Sequence, residues 1–290
     1  TMSKMATVAT LSSRDKFMRV LSGVYEKSEW VAERAFAHAP YESLTALAAA
    51  MKATVQAASE EEQLALLCAH PDLAGKAALA GELTAESTGE QAQAGLDTLT
   101  EAELARFTEL NTAYRSKFGF PFILAVRGAS KQTILSAFAP RTANTRGEEL
   151  STALAQVHKI AWMRMRDLVA PNASGKLTCH VLDTARGAPA AGMSVQLRRL
   201  EEGTWKLLGE FVTNADGRLD GPALQGADFV YGAYEWTFGV GSYFAAAGVP
   251  TAGTPFLGEV PLRFGIDNAE QHYHVPLLCS PWSYSTYRGS

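Results

Sequence analysis

Two hydrophobic periods divide the chain. From Arg14 to about Leu168 apolar residues recur at helical spacing. Phe17, Leu21 and Val24 form one series, Leu44, Leu47, Met51 and Val55 a second within an Ala-rich segment, and Leu104, Phe107, Leu110 and Tyr114 a third. Residues three and four apart share one face of a helix, and Ala has the highest helix propensity. The third helix must stop at Gly119-Phe120-Pro121, because Pro121 lacks an N–H donor and restricts Phe120. Residues 134–138 and 150–169 supply further helices, with no strand-like alternation of any length between them. The spacing therefore predicts an all-α domain over residues 1–168. Residues 169–175 (Val-Ala-Pro-Asn-Ala-Ser-Gly) read as a linker, since Pro and Gly in a polar stretch mark domain boundaries.

Beyond the linker the period becomes two. Leu177, Cys179 and Val181 alternate with Thr178, His180 and Leu182, and Met193, Val195 and Leu197 alternate with Ser194, Gln196 and Arg198. Further strands fit residues 205–212, 229–238, 256–264 and 273–278, separated by Arg186-Gly187, Glu202-Gly203, Ala215-Asp216-Gly217 and Asp267-Asn268. Gly258 within one of these runs predicts a bulge. Short strands at this spacing predict an all-β sandwich over residues 176–290. The fold class is thus multidomain, all-α followed by all-β.

Composition narrows the function classes. The chain has 290 residues, 47% of them hydrophobic, enough for two cores. A net charge of -4 without a basic block excludes a nucleic-acid footprint. The three cysteines, Cys68, Cys179 and Cys279, are odd in number and form no Cys-x-x-Cys, which predicts reduced thiols and a cytoplasmic protein. No apolar run approaches the ~18 residues of a membrane span, and residues 1–10 lack the apolar core of a signal peptide. Gly239-Val240-Gly241 lacks the context of a dinucleotide site, and there is no phosphate loop.

In the helical half, Pro71 presses His70 out of helical geometry at a helix terminus. Downstream, Ser87-x-x-Glu90 has the form of a capping box. Gln91 adds a polar side chain that no cap needs, so His70, Ser87, Glu90 and Gln91 also form a set able to position an amide-rich substrate, with His70 as proton carrier. Four motifs occur in order: His70-Pro71-Asp72-Leu73; Ser87-x-x-Glu90-Gln91-x-x-Ala94-Gly95-Leu96; Lys117-Phe118-Gly119-Phe120-Pro121-Phe122-Ile123; and Asn144-Thr145-Arg146-x-x-Glu149-Leu150. Together, over about residues 12–169, they resemble the 2-oxo-4-hydroxy-4-carboxy-5-ureidoimidazoline (OHCU) decarboxylases of urate breakdown. That resemblance implies an all-α fold, no cofactor, and His70 as catalytic acid/base. It implies that Pro71, Ser87, Glu90, Gln91 and Arg146 bind substrate and that Phe118, Phe122 and Ile123 line the pocket. Decarboxylation leaves a carbanion that the substrate's own imidazolone ring can delocalise, and Glu90 beside His70 is expected to hold the imidazole protonated.

In the β half, His272 and His274 lie two apart and so share one strand face. With His180 they also have the form of a metal site. The runs Leu177-Thr178-Cys179-His180-Val181-Leu182-Asp183, Thr213-Asn214-Ala215-Asp216-Gly217-Arg218, His272-Tyr273-His274-Val275-Pro276-Leu277-Leu278 and the terminal Tyr287-Arg288-Gly289-Ser290 resemble the transthyretin superfamily, in its 5-hydroxyisourate hydrolase branch. The resemblance implies His180, Arg218 and His274 as catalytic residues without a metal, and the tail from Tyr287 to Ser290 as part of the substrate site. His272 is assigned to support or to an exposed position.

The two resemblances imply consecutive reactions: the β domain opens 5-hydroxyisourate to OHCU, and the helical domain decarboxylates OHCU to (S)-allantoin. They also imply small-molecule substrates, no nucleic acid or membrane partner, and a homo-oligomer, a tetramer, assembled through the β domain. The competing reading is a transthyretin-like carrier fused to a helical interaction domain. Against it stand the two histidines and two arginines, where a carrier's channel would be apolar.

Overall fold

A computed structural model of the chain describes residues 5–75, 84–201, 203–249 and 253–289. It divides into two compact units, residues 1–170 and 171–290. No helix among the described residues is long and apolar enough to cross a membrane.

The first unit contains α1 (Arg14–Leu21), α2 (Trp30–Phe36), α3 (Leu44–Gln56), α4 (Glu60–Cys68), α5 (Ala85–Gln93), α6 (Glu101–Phe118), α7 (Lys131–Thr142) and α8 (Arg146–Leu168). Most begin where a hydroxyl caps them: Ser13, Ser43, Ser59, Thr84, Thr100, Ser130 and Thr145 each accept from an amide of the first turn. Helix α6 ends on Gly119 at φ 85°, a left-handed conformation that glycine adopts without a Cβ penalty. The expected apolar series are buried at Phe17, Leu21, Leu44, Leu47, Met51, Val55, Phe107 and Tyr114. Leu104 and Leu110 are only half-buried; Asn111 takes the buried place between Phe107 and Tyr114 and donates to the Leu73 carbonyl at 2.8 Å.

One short element departs from the helical period. Strand β1 (Ala6–Thr7) pairs in parallel with β2 (Val169–Ala170), so the first two residues of the expected linker join a ladder. The rest of that stretch is held too: the Asn172 amide and the Ser174 hydroxyl both donate to Glu270.

Glu149 is fully buried, and its carboxylate is shared by Arg141, Tyr114 and Asn144. Arg141 also donates to the Ile123 carbonyl at 2.5 Å, so this ion pair fixes the segment that follows α6. Arg146 behaves differently. Its guanidinium is half-exposed and pairs with Glu60 at 2.7 Å on the surface.

The second unit is a sandwich. One sheet has the order β10-β9-β6-β7, from β6 (Ser194–Glu201), β7 (Thr204–Val212), β9 (Gly232–Phe238) and β10 (Val260–Ile266). Facing it are β11-β3-β8 and β13-β12-β4-β5, from β3 (Lys176–Thr178), β4 (Val181–Asp183), β5 (Ala188–Pro189), β8 (Leu224–Gln225), β11 (His272–His274), β12 (Leu277–Cys279) and β13 (Tyr284–Thr286). Segment 176–183 runs parallel to segment 272–279, with β3 on β11 and β4 on β12. Leu177, Cys179 and Val181 bury one face against Val195, Leu197, Trp236 and Phe238.

One expectation differs here. The bulge lies between Leu197 and Arg198, opposite Leu208, which has no partner in the ladder; Gly258 instead precedes β10, where its carbonyl accepts the Gly241 amide. A short helix, α9 (Val240–Ala246), follows β9 and buries Val240, Tyr243 and Phe244.

Removing one partner of a buried ion pair strands the other charge. Glu149→Ala should therefore lower stability by about 3–5 kcal/mol, whereas Arg146→Ala should cost less than about 1 kcal/mol. Denaturant titration of the two variants checks this, read from the helical unit's transition.

Candidate active sites

In the helical unit, His70 lies in a cavity with Pro71, Ser87, Glu90, Gln91, Phe122 and Ile123. The wall is completed by residues that the sequence did not single out, among them Leu124 to Arg127, Ile160 and Arg164. Helix α4 ends two residues before His70, and the His70 Nδ1 meets the Leu66 carbonyl at 3.0 Å. A carbonyl only accepts, so Nδ1 carries the proton and Nε2 is the basic nitrogen of the neutral ring. The loop behind His70 is strained: Ala74 sits at φ 53°. Gln91 Oε1 accepts the Ala74 amide at 3.0 Å and holds that conformation.

Arg164 organises the polar wall. Its side chain is 5% exposed and bonds Glu90 through Nε and Nη2, Glu26 through Nη1 at 2.8 Å, and the Ser87 hydroxyl. Glu26 is itself 2% exposed and accepts from Thr84 and Ser87.

Three expectations are corrected, and one open alternative, the cap of α5, is decided. Arg146 lies on the surface with Glu60; Arg164, on the same helix five turns later, lines the cavity, as does Arg127. Phe118 packs on Tyr114 and Phe120 in the aromatic core. Ser87 is not the cap of α5. Thr84 is, and Ser87 donates its amide to it. Glu90 does not hold His70 protonated. Burial pushes the imidazole below its ordinary value, as does the charge of Arg164, and the Leu66 carbonyl, Glu26 and Glu90 only partly oppose this.

In the β unit, the strand alternation that buries Leu177, Cys179 and Tyr273 turns Thr178, His180, His272 and His274 to the opposite face. The register sets His274 beside Thr178. The Thr178 hydroxyl lies 2.7 Å from His272 Nε2 and 2.9 Å from His274 Nδ1. One hydroxyl proton cannot serve both rings, so at least one imidazole donates to it. Thr178 thus links the exposed His272 to His274. Among the described residues no group of three or more His, Cys, Asp or Glu side chains is arranged to hold a metal ion.

His180 and Arg218 face each other in an isolated antiparallel bridge, placed by the turn at Gly217. Gly217 has φ +69°, and a Cβ there would lie 2.3 Å from the Val181 carbonyl oxygen, so only glycine fits this approach. His180 Nε2 is buried without a hydrogen-bond partner. Burial and the Arg218 charge hold His180 below the ordinary imidazole value against a backbone bond at Asp216. Burial lowers His274 likewise, followed by the charges of Arg218, His272 and His180. These three residues therefore act on one another as a cluster of neutral imidazoles beside a guanidinium.

The tail returns to this face. Strand β13 pairs with β12, and Gly289 bridges His274, donating its amide to the His274 carbonyl at 2.8 Å. Gly289 packs so closely that a Cβ would lie 2.7 Å from His274 Cδ2. Arg288 is held by Gln271 at 2.8 Å and stacks over Tyr273. Tyr287 is exposed. Ser290 lies outside the described residues.

Comparison with known proteins agrees with this division. The family model described as OHCU decarboxylase matches residues 10–166, and that of the HIUase/Transthyretin family matches residues 177–289. A 2-oxo-4-hydroxy-4-carboxy-5-ureidoimidazoline decarboxylase of Halalkalicoccus jeotgali is 46% identical over 167 residues, 57% of this chain and 93% of the relative. A 5-hydroxyisourate hydrolase of Rhizobium meliloti (strain 1021) is 56% identical over 117 residues, 40% of this chain and 98% of the relative. A crystal structure of (S)-allantoin synthase matches with a TM-score of 0.82 at 50% identity, covering 98% of this chain and all of its own.

The histidines also link stability to pH. Burial and Lys52 lower His158 to about 4, and its Nδ1 lies 3.0 Å from the buried Tyr25 hydroxyl. A base depressed in the folded state binds its proton more readily when unfolded, so stability present above about pH 6.5 is lost as the pH falls. Thermal melts of the helical unit should therefore weaken from pH 7 to 4. His158→Gln should lose less over that interval than the parent chain, and equal losses would contradict the assignment.

Proposed function

The chain belongs to the OHCU decarboxylase family through its helical unit and to the HIUase/transthyretin family through its β unit, and on that premise we propose that it acts as an (S)-allantoin synthase. It catalyses two consecutive steps of urate degradation. The β unit hydrolyses 5-hydroxyisourate to OHCU, and the helical unit decarboxylates OHCU to (S)-allantoin, so chemistry runs against chain order. The observation that carries this reading is 50% identity to an (S)-allantoin synthase across 98% of the chain. The functional boundary is the stretch 169–175.

For ring opening, His180 and His274 are the acid/base pair. A neutral imidazole removes a proton from water as it attacks the ring amide carbonyl, and an imidazolium returns one to the departing nitrogen. Arg218 and Arg288 neutralise the urate-like oxygens through charge-assisted hydrogen bonds. The tail from Tyr287 to Ser290 closes the site, a role supported by the Gly289–His274 bridge.

For decarboxylation, the cavity removes the substrate from water, and the imidazolone ring takes up the electron pair left by CO2. Ser87, Glu90, Gln91 and Arg164 bind the ureido and ring amides, with Pro71, Phe122 and Ile123 as the apolar wall. His70 exchanges the proton through Nε2 on one face, which gives a single enantiomer. Cytoplasmic residence is supported by the unpaired thiols, of which Cys179 and Cys279 are buried.

Variants separate the two steps. His70→Asn should abolish decarboxylation of supplied OHCU and leave ring opening intact. His274→Asn, or deletion of residues 288–290, should do the reverse, with losses of about 10²-fold or more. The readouts are 5-hydroxyisourate absorbance and the optical rotation of the product. Optically pure allantoin formed at the parent rate by His70→Asn would refute the helical assignment.

The exposed Phe256, Trp282, Tyr284 and Tyr287 of the β unit support assembly as a homotetramer through that unit, since exposed aromatics mark interaction surfaces. Light scattering at micromolar concentration should give the mass of four chains. A monomer would contradict it.

A further inference from the structure

Glu26 belongs to none of the motifs above, yet it sits at the centre of the helical unit's polar wall. It lies in the turn between α1 and α2 and is 2% exposed. Oε1 accepts the Thr84 hydroxyl at 2.8 Å. Oε2 accepts the Ser87 hydroxyl at 3.1 Å and Arg164 Nη1 at 2.8 Å. One carboxylate thus joins three separate pieces of chain: its own turn, the first turn of α5 and the last turns of α8.

Each partner of Glu26 touches or lines the cavity. Ser87 and Arg164 line it directly, and Thr84 caps the helix that carries Ser87, Glu90 and Gln91. Burial of the Glu26 carboxyl favours protonation, but the hydrogen bonds from Arg164 and Thr84 and the charge of Arg164 outweigh it, so the group is held below the usual carboxylate range. The charged groups that act on His70 are Glu26 and Glu90, which favour its protonated form, and Arg164, which opposes it; Arg127 adds a cation 4.0 Å from Glu90. Arg164 is shared by two carboxylates, Glu26 and Glu90, so the wall carries one more negative than positive charge at this pairing.

We propose that Glu26 is a positioning residue for decarboxylation: its carboxylate fixes Arg164, Ser87 and Thr84 in the polar wall beside His70. The reacting atoms meet His70, not Glu26. Two effects follow from two separable properties, reach and charge. Reach sets the geometry of Arg164 and Ser87, where a shift of about 1 Å costs up to ~10²-fold. Charge sets the pH at which His70 titrates.

This inference rests on decarboxylation being the helical unit's reaction, so the parent chain is first assayed with OHCU. Failure there refutes that assignment and is distinct from any result with variants. Glu26→Asp keeps the charge and shortens the reach. It should lower kcat at least about tenfold while the pH midpoint of kcat/KM stays at the parent value. Glu26→Gln keeps the size and removes the charge. It should move that midpoint, and the His70 titration followed by nuclear magnetic resonance, to lower pH by about half a unit or more. Ring opening by the same samples should be unchanged. Parent-like kcat in Glu26→Asp, or an unmoved midpoint in Glu26→Gln, would overturn the proposal. Loss of the helical fold in both variants would reduce Glu26 to a structural role and overturn it equally.

Discussion

The burial of the Arg164 guanidinium is the constraint on which the helical unit's chemistry depends. An unpaired charge of that kind taken out of water costs several kcal/mol, so a side chain 5% exposed must be met by carboxylates and hydroxyls from elsewhere in the chain. Glu26 comes from the turn after α1, Glu90 and Ser87 from α5. Satisfying one cation therefore brings three distant segments to one place, and that place is beside His70. A second buried pair, Arg141 with Glu149, grips the carbonyl of Ile123, another residue that lines the cavity. Both pairs are hydrogen-bonded before any substrate arrives, the preorganisation that positional catalysis requires.

The β unit reaches its site by a different route. Strand alternation sorts Leu177, Cys179, Val181 and Tyr273 into the core, and the same alternation delivers Thr178, His180, His272 and His274 to the other face. Parallel pairing of segments 176–183 and 272–279 then aligns those residues side by side. Gly217 lets the Arg218 turn close against Val181, and Gly289 lets the tail close against His274. Here the polar cluster is a consequence of register and of two positions where no side chain fits. Burial and the mutual effects of Arg218 and the histidines keep the imidazoles neutral, the state in which they accept protons.

Period and motif made the two architectures, most helix faces and the outer-face histidines legible, because each depends on neighbours in sequence. What escaped depends on distance. Arg146 and Arg164 lie on one helix, and nothing local distinguishes them; only the fold decides that Glu60 meets one on the surface and Glu26 and Glu90 meet the other inside. Glu26 carries no motif, and its role exists only through partners up to 138 residues away. Ser87 shows a capping pattern, yet Thr84, three residues earlier, offers the same hydroxyl chemistry at the actual helix start. The protonation state of His70 was misjudged because a neighbouring carboxylate is visible in a sequence, while the depth of burial that outweighs it is not. Helix α9 is only seven residues long, and the bulge at Leu208 lies beside Gly209 within a run that otherwise keeps the strand period.

Two sites acting in succession should carry 5-hydroxyisourate through to a single enantiomer of allantoin. The purified chain is supplied with 5-hydroxyisourate freshly made by oxidation of urate, and absorbance and circular dichroism are followed together. The expected result is rapid loss of 5-hydroxyisourate and growth of the signal of a single allantoin enantiomer, with OHCU passing through a transient maximum. Decay of both intermediates at their spontaneous rates, ending in racemic allantoin, would contradict it.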